Sequence, residues 1–199
     1  GIESSGPHSN GFSLIRKIIS ESNLNNEEFN KITQMALKPT HLYPSLIMKI
    51  LADHNINGMA HITGGGLTEN IPRSIPKDFS VTINKNAWEM PEIFSWLQEK
   101  GNLKEEDMYR VFNCGIGMVL IVNRDDVDSI QKDISDYGYK NFLIGETGAN
   151  YFSLELYDDT ITNNEIEINK ILSPRNKIFP TCLIFPSSVS STSSSVRFM

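Results

Sequence analysis

Apolar positions recur along this chain with two periods, and they divide it into short helices and shorter strands. Phe12, Ile15, Ile18 and Ile19 fall on one helical face, with Asn10 placed to cap it. A second helix is predicted from Glu27 to Leu37, its apolar side formed by Phe29, Ile32, Met35 and Ala36. Pro39-Thr40 breaks the pattern, and Leu42 to Ala52 reads as a third helix. Asn57-Gly58 marks a turn, and Met59 to Thr63 suits a strand. After Gly64-Gly65-Gly66 a short helical turn starts at Leu67, limited by Pro72 and Pro76.

Alternating Phe79, Val81 and Ile83 predict a half-buried strand. Asn86 is placed to cap a helix carrying Trp88, Ile93, Phe94 and Leu97, which Gly101 stops. Glu105 to Arg110 forms a short helix, and Ile116 to Val122 a nearly continuous apolar strand. Asp125 or Asp126 opens a helix with Val127, Ile130 and Ile134 inward. Phe142, Leu143 and Ile144, then Phe152, Leu154 and Leu156, predict further strands. Helices and strands mix without the regular beat of a doubly wound sheet. The expected class is α+β, a mixed or antiparallel sheet with helices packed on it. From about Ser173 the pattern ends: Pro174, Pro180 and Pro186 interrupt it, and Ser187 to Ser195 is almost all Ser and Thr. Residues 1–172 are therefore expected to fold as one domain, with 173–199 a disordered tail.

Composition narrows the function classes. With 199 residues, 39% hydrophobic and 21% charged, the chain matches an ordinary soluble domain with a real core. A net charge of -6 argues against broad nucleic-acid binding. It leaves room for an anion pocket built from backbone N–H groups. No apolar run is long enough to span a bilayer, and Gly1 to Asn10 lacks signal-peptide form. The chain opens without an initiator methionine, which points to a fragment or a processed product. Cys114 and Cys182 make neither a disulfide framework nor a zinc pattern, so a reducing cytoplasm is expected. No His, Cys, Asp and Glu spacing fits a metal held by this chain alone.

Three segments carry candidate chemistry. In His61-Ile62-Thr63-Gly64-Gly65-Gly66-Leu67, three glycines between a strand and a helix let the backbone approach a ligand closely. Their successive N–H groups and the helix start favour a phosphate. A flexible turn is the alternative, and His61 reads as a structural histidine. Ser4-Ser5-Gly6-Pro7-His8-Ser9-Asn10-Gly11 packs hydroxyls, an amide and an imidazole into one loop. It can orient a polar substrate while His8 exchanges protons, or its side chains can merely satisfy nearby backbone. In Asn113-Cys114-Gly115-Ile116-Gly117-Met118 the glycines mark a bulge or a close backbone approach. Cys114 reads more readily as a small buried thiol than as a nucleophile, and Asn113 either meets a ligand or holds a turn.

Taken together and in this order, the three segments resemble phosphoribosylformylglycinamidine cyclo-ligases, of the PurM-like superfamily. Glu69-Asn70-Ile71-Pro72-Arg73 is similar to that family as well, as is Trp88 with Pro91, Ile93, Phe94, Trp96, Leu97, Gln98 and Gly101. The resemblance covers roughly residues 1–172 and reaches the domain found in trifunctional purine enzymes. It implies the carboxy-terminal α+β domain of a two-domain subunit. The amino-terminal domain would form a homodimer and hold most of the site for ATP and Mg. The implied reaction closes formylglycinamidine ribonucleotide to aminoimidazole ribonucleotide, with ATP phosphorylating the formamide oxygen. This half alone is not expected to complete it.

On that resemblance Thr63, Gly64, Gly65 and Gly66 would hold the ribonucleotide phosphate. His8 would transfer protons, Ser5, Ser9 and Asn10 would orient substrate, and Asn113 would line the same site. Departures exist. His41 stands where the family has Arg, losing a charge and a bidentate fork, and the Ser-rich end has no family counterpart. Two other readings stay open: the related amidine-forming synthetase one step earlier, and a truncated product that binds a nucleotide phosphate or partners a full subunit.

Overall fold

A computed structural model describes residues 1–149 and the strand Leu154–Tyr157. All of these lie in one compact unit, Gly1–Thr160. The expected tail from 173, Cys182 and the strand position Phe152 lie outside the described residues.

Seven α-helices and six strands alternate irregularly among the described residues. In order they are β1 (Ile2–Glu3), α1 (Phe12–Glu21), α2 (Asn26–Ala36), α3 (Pro44–Asp53), β2 (Gly58–His61), α4 (Gly66–Asn70) and β3 (Phe79–Asn84). Then come α5 (Glu92–Lys100), α6 (Glu105–Val111), β4 (Ile116–Ile121), α7 (Val127–Asp136), β5 (Gly145–Ala149) and β6 (Leu154–Tyr157). The class is α+β, as expected, but the strands make two sheets rather than one. The first has the order β1-β4-β2 and is antiparallel throughout. The second has the order β5-β3-β6, antiparallel on one side of β3 and parallel on the other.

The continuous apolar run of β4 follows from its place between two cores. Val119 faces the larger one, where Ile15 and Ile18 of α1 meet Ile32 of α2, Phe94 and Leu97 of α5, Met108 of α6 and Phe112. Met118 and Leu120 face the smaller one, built from Ile2, Tyr43, Leu46 and Ile50 with Ile130 and Ile134 of α7. A strand packed on both faces has no polar side to show.

Capping was the least legible feature. Asn10 does not cap α1. The cap is Gly11, with φ 73° and no side-chain bond, because a β-carbon there would lie 2.3 Å from the Phe112 ring. Asn86 does not cap α5 either. It sits in a 3-10 turn, Lys85–Ala87, and α5 starts only after Pro91, since Met90 before a proline is pushed out of the helical region. The expected strand at Phe142 to Ile144 begins later, at Gly145. Phe142 instead exchanges hydrogen bonds with Gly1 beside β1. One cap the periodicity reading passed over is Asn25. Its side chain accepts from the N–H groups of Glu27 and Glu28, while Glu28 accepts from the Asn25 N–H, a reciprocal capping box.

Asn25→Ala should therefore cost about 1 kcal/mol of stability, and Asn25→Ser should recover most of it. Urea denaturation of the three proteins checks this; an alanine variant as stable as the parent would contradict it.

Candidate functional site

The polar loop between β1 and α1 is held from behind by Asn113, which is 1% exposed. Its Oδ1 accepts from Ser4 Oγ at 2.8 Å and from the Gly115 N–H at 3.0 Å, and its Nδ2 donates to the Gly6 carbonyl at 2.9 Å. Asn113 was expected either to meet a ligand, as the resemblance implies, or to hold a turn. With its oxygen and one amide hydrogen engaged under the loop, it shapes the loop. Ser5 is likewise committed, its hydroxyl donating to the Pro39 carbonyl at 2.7 Å.

His8 sits in the left-handed region, φ 55°, and is 6% exposed. Its Nε2 accepts the Ser5 N–H at 3.2 Å, which places the ring proton of the neutral form on Nδ1. Nδ1 is buried without a hydrogen-bond partner. Burial, followed by the nearby His41 and His61 imidazoles, pushes the His8 pKa down to about 4. At neutral pH this ring is neutral, and its one acceptor nitrogen is engaged. That environment does not suit the proton-transfer role expected for it.

Glycine inside β4 explains how these rings fit. A β-carbon at Gly117 would lie 2.0 Å from Tyr43 Oη and 2.8 Å from His8 Cε1, so both rings lie against bare backbone. Tyr43 is buried and donates to the Glu3 carbonyl at 2.7 Å. His61 lies 5.9 Å from Tyr43 between ring centroids, and His41 lies 5.0 Å edge-on from Tyr139. His61, expected to be structural, is exposed at the end of β2. Cys114 is fully buried and its thiol pKa is driven far up, which rules it out as a nucleophile.

The glycine bend follows β2. Gly65 and Gly66 have φ 97° and 56°. A β-carbon at Gly66 would lie 2.0 Å from the Tyr109 carbonyl oxygen, so this residue cannot carry a side chain. Every carbonyl of the bend is bound by protein. That of Thr63 accepts from the Gly66 N–H, that of Gly65 from the Glu69 N–H, and those of Thr63, Gly64 and Gly66 from Asn70 Nδ2. Among the described residues the N–H groups of Gly64 and Gly65 have no protein acceptor. The expected contribution from a helix start is small, because α4 has only five residues; the donors are individual amides. Glu69 lies beside Gly65, with its carboxylate bound by Arg73 at 3.1 Å.

The two segments adjoin. A β-carbon on Gly64 would lie 3.7 Å from Asn10 Oδ1. Ser9 and Gly64 are exposed, and Asn10 and Thr63 are half-buried beside them. Ser9, Asn10, Thr63, Gly64 and Gly65 are thus on one open face, with Gly66 buried behind them and Ser5, His8 and Asn113 supporting the loop. A cavity of about 60 Å³ elsewhere, lined by Ile2, Leu120, Ile130 and Ile134 under α7, is apolar and away from these groups. Sequence reasoning missed Tyr43 and Asn70. The signal for Asn70 was an amide four to seven residues beyond the carbonyls it binds, within reach across one helical turn.

Comparison with known proteins decides the family. Residues 1–155 match the family described as AIR synthase related protein, C-terminal domain. The chain belongs to that family. It is 46% identical over 149 residues to the phosphoribosylformylglycinamidine cyclo-ligase of Neisseria gonorrhoeae, covering 73% of this chain and 43% of that protein. It is 48% identical over 156 residues to the cyclo-ligase of Clostridium botulinum, covering 78% and 46%. The chain thus spans about half the length of the curated relatives it matches. No helix among the described residues is long and apolar enough to cross a membrane.

The buried His8 generates a pH prediction. The unfolded ring takes its proton near pH 6.5, the folded one only near 4. Between these values the unfolded chain binds more protons, so His8 removes stability as pH falls through that window. His8→Asn keeps a residue type that tolerates the left-handed conformation and removes the titration. Urea midpoints at pH 7 and pH 5 should fall further for the parent than for the variant; equal losses would contradict the assignment.

Proposed function

We propose that this chain is the carboxy-terminal half of a phosphoribosylformylglycinamidine cyclo-ligase. On this reading it contributes to the ATP-dependent closure of formylglycinamidine ribonucleotide to aminoimidazole ribonucleotide in purine biosynthesis. The observation that carries the reading is the bend at Gly64 and Gly65, where amides without protein acceptors lie next to Asn10. Outward N–H groups with inward carbonyls make a surface that only donates, which suits a phosphate monoester. Arg73 is exposed one helical turn from Glu69 and adds a positive charge that Glu69 partly offsets.

In this scheme Thr63 and the three glycines hold the ribonucleotide phosphate, and Ser9 and Asn10 orient the formylglycinamidine end. Ser5 and Asn113 act indirectly, by fixing the loop that carries Ser9 and Asn10. For proton transfer, exposed His61 is favoured over His8, because a general base must reach the proton it removes. ATP and Mg²⁺ are assigned to the amino-terminal half of a homodimeric, cytoplasmic enzyme. Among the described residues no group of three His, Cys, Asp or Glu is placed to hold a metal ion. The partner of this chain is then the ATP-binding half, and the energy of ring closure comes from phosphorylation of the formamide oxygen. The related amidine-forming synthetase is the weaker reading, since both relatives above carry the cyclo-ligase name.

Gly64 is the cleanest position for a test. Its backbone lies outside the left-handed region and a β-carbon there meets only ordinary contact. Gly65 has neither advantage: its φ is 97° and a β-carbon would press on Glu69. Gly64→Val, in this chain joined to its amino-terminal half, should keep the thermal midpoint and raise the KM for the ribonucleotide about tenfold or more, a change of about 1.4 kcal/mol. An unchanged KM would reject the phosphate role of the bend. In the same enzyme His61→Ala should lower kcat at least about a hundredfold, while His8→Asn should leave the pH profile of kcat in place. The reverse pattern would return proton transfer to His8.

A further inference from the structure

Besides the Glu69–Arg73 pair, the Glu69-Asn70-Ile71-Pro72-Arg73 stretch holds a polar side chain with an unusual set of contacts. Asn70 is 7% exposed at the end of α4. Its Nδ2 donates to the Gly66 carbonyl at 2.8 Å, to the Gly64 carbonyl at 3.2 Å and to the Thr63 carbonyl at 3.3 Å. Its Oδ1 has weak contacts at 3.5 Å with Thr63 Oγ1 and Arg73 Nη1. One amide therefore binds three of the four carbonyls in the bend, and two hydrogens shared among three oxygens favour one narrow geometry.

We propose that Asn70 is a positioning residue that holds the bend in its donor-only form. This rests on the reading of the bend as a phosphate site. A peptide unit is planar, so fixing a carbonyl inward fixes the N–H of the next residue outward. Binding the Thr63 and Gly64 carbonyls orients the Gly64 and Gly65 amides, the two that have no protein acceptor. Glycine supplies freedom at these positions but no preference. The Thr63 carbonyl is also held by the Gly66 N–H, but the Gly64 carbonyl has Asn70 as its one donor among the described residues. Without Asn70 the Gly64–Gly65 peptide plane can rotate and present its oxygen to the ligand, which repels a phosphate. Asn70 does not touch the ligand; it removes the entropy that a mobile Gly64–Gly65 peptide unit would lose on binding. The ligand class is a phosphate monoester, and the contribution of Asn70 is to affinity through loop geometry.

The test uses the 199-residue chain with ribose 5-phosphate and inorganic phosphate as probes, followed by the amide resonances of Gly64 and Gly65. The parent should show saturable shifts at both amides. Asn70→Ala should weaken the Kd for ribose 5-phosphate about tenfold or more, at a temperature where its remaining resonances show the fold intact. Asn70→Asp, which sets carboxylate oxygen against three carbonyls, should weaken it further. If Asn70→Ala prevents folding, Asn70→Ser, with one donor retained, should give an intermediate Kd. Parent binding with unchanged affinity in the folded variants would overturn the positioning role and leave the phosphate site standing. Absence of shifts at Gly64 and Gly65 in the parent itself would remove the phosphate site, and the role of Asn70 with it.

Discussion

A peptide unit cannot turn its carbonyl toward the protein without turning the neighbouring N–H away from it. On the proposed reading, what this domain offers a phosphate follows from that constraint at four consecutive residues. From Thr63 to Gly66 each carbonyl is engaged by a backbone N–H or by Asn70, and the outward surface of the bend is left with donors. Such a surface needs no excess of Lys and Arg, which reconciles the proposed anion site with a net charge of -6. The Glu69 carboxylate lies against Gly65, and its charge is countered by Arg73.

The second requirement is a platform on which the polar loop can lie. Gly117 supplies it by leaving the face of β4 bare where Tyr43 and His8 rest. Asn113 anchors the loop at Ser4 and Gly6, and Ser5 ties it to Pro39. The loop is consequently rigid at its base, and its free polar groups are Ser9 and Asn10. This division answers whether hydroxyl- and amide-rich loops serve substrate or serve themselves: here the first half serves the fold and the second half is available.

Much of the architecture was legible because burial imposes a period. Ile15 and Ile18, Ile32 and Ala36, Leu46 and Ile50, and Ile130 and Ile134 each repeat at three or four residues and each is buried. The two-sheet arrangement was not legible. Pairing β3 with β5 joins Val81 to Thr147, and no local pattern encodes a contact at that separation. Caps failed for a different reason. Short polar side chains satisfy helix ends, turns and ligands alike, so Asn10 and Asn86 looked like caps. Asn25, with Glu28 three residues on, was the one that carried a reciprocal signal. The glycine bend and the polar loop were legible as candidate chemistry. The burial of His8 and Asn113 was not, since it arises from Gly117 and Ser4, over a hundred positions away in each case.

Burial also sorts the histidines. A buried imidazole far below its usual pKa is a good neutral spacer and a poor proton carrier, because charging it would strand a cation among His41, His61 and Tyr43. An exposed imidazole works in water, where electrostatic effects on a transition state are weak. On the proposed reading, for His61 and the glycine bend to act strongly, water must be excluded around them. This domain presents them openly, while its relatives are about twice as long. On the proposed reading the ATP-binding half supplies the other wall. The carboxy-terminal half then contributes preorganised donors, and closure against the second half gives those donors the low-dielectric surroundings in which they become effective.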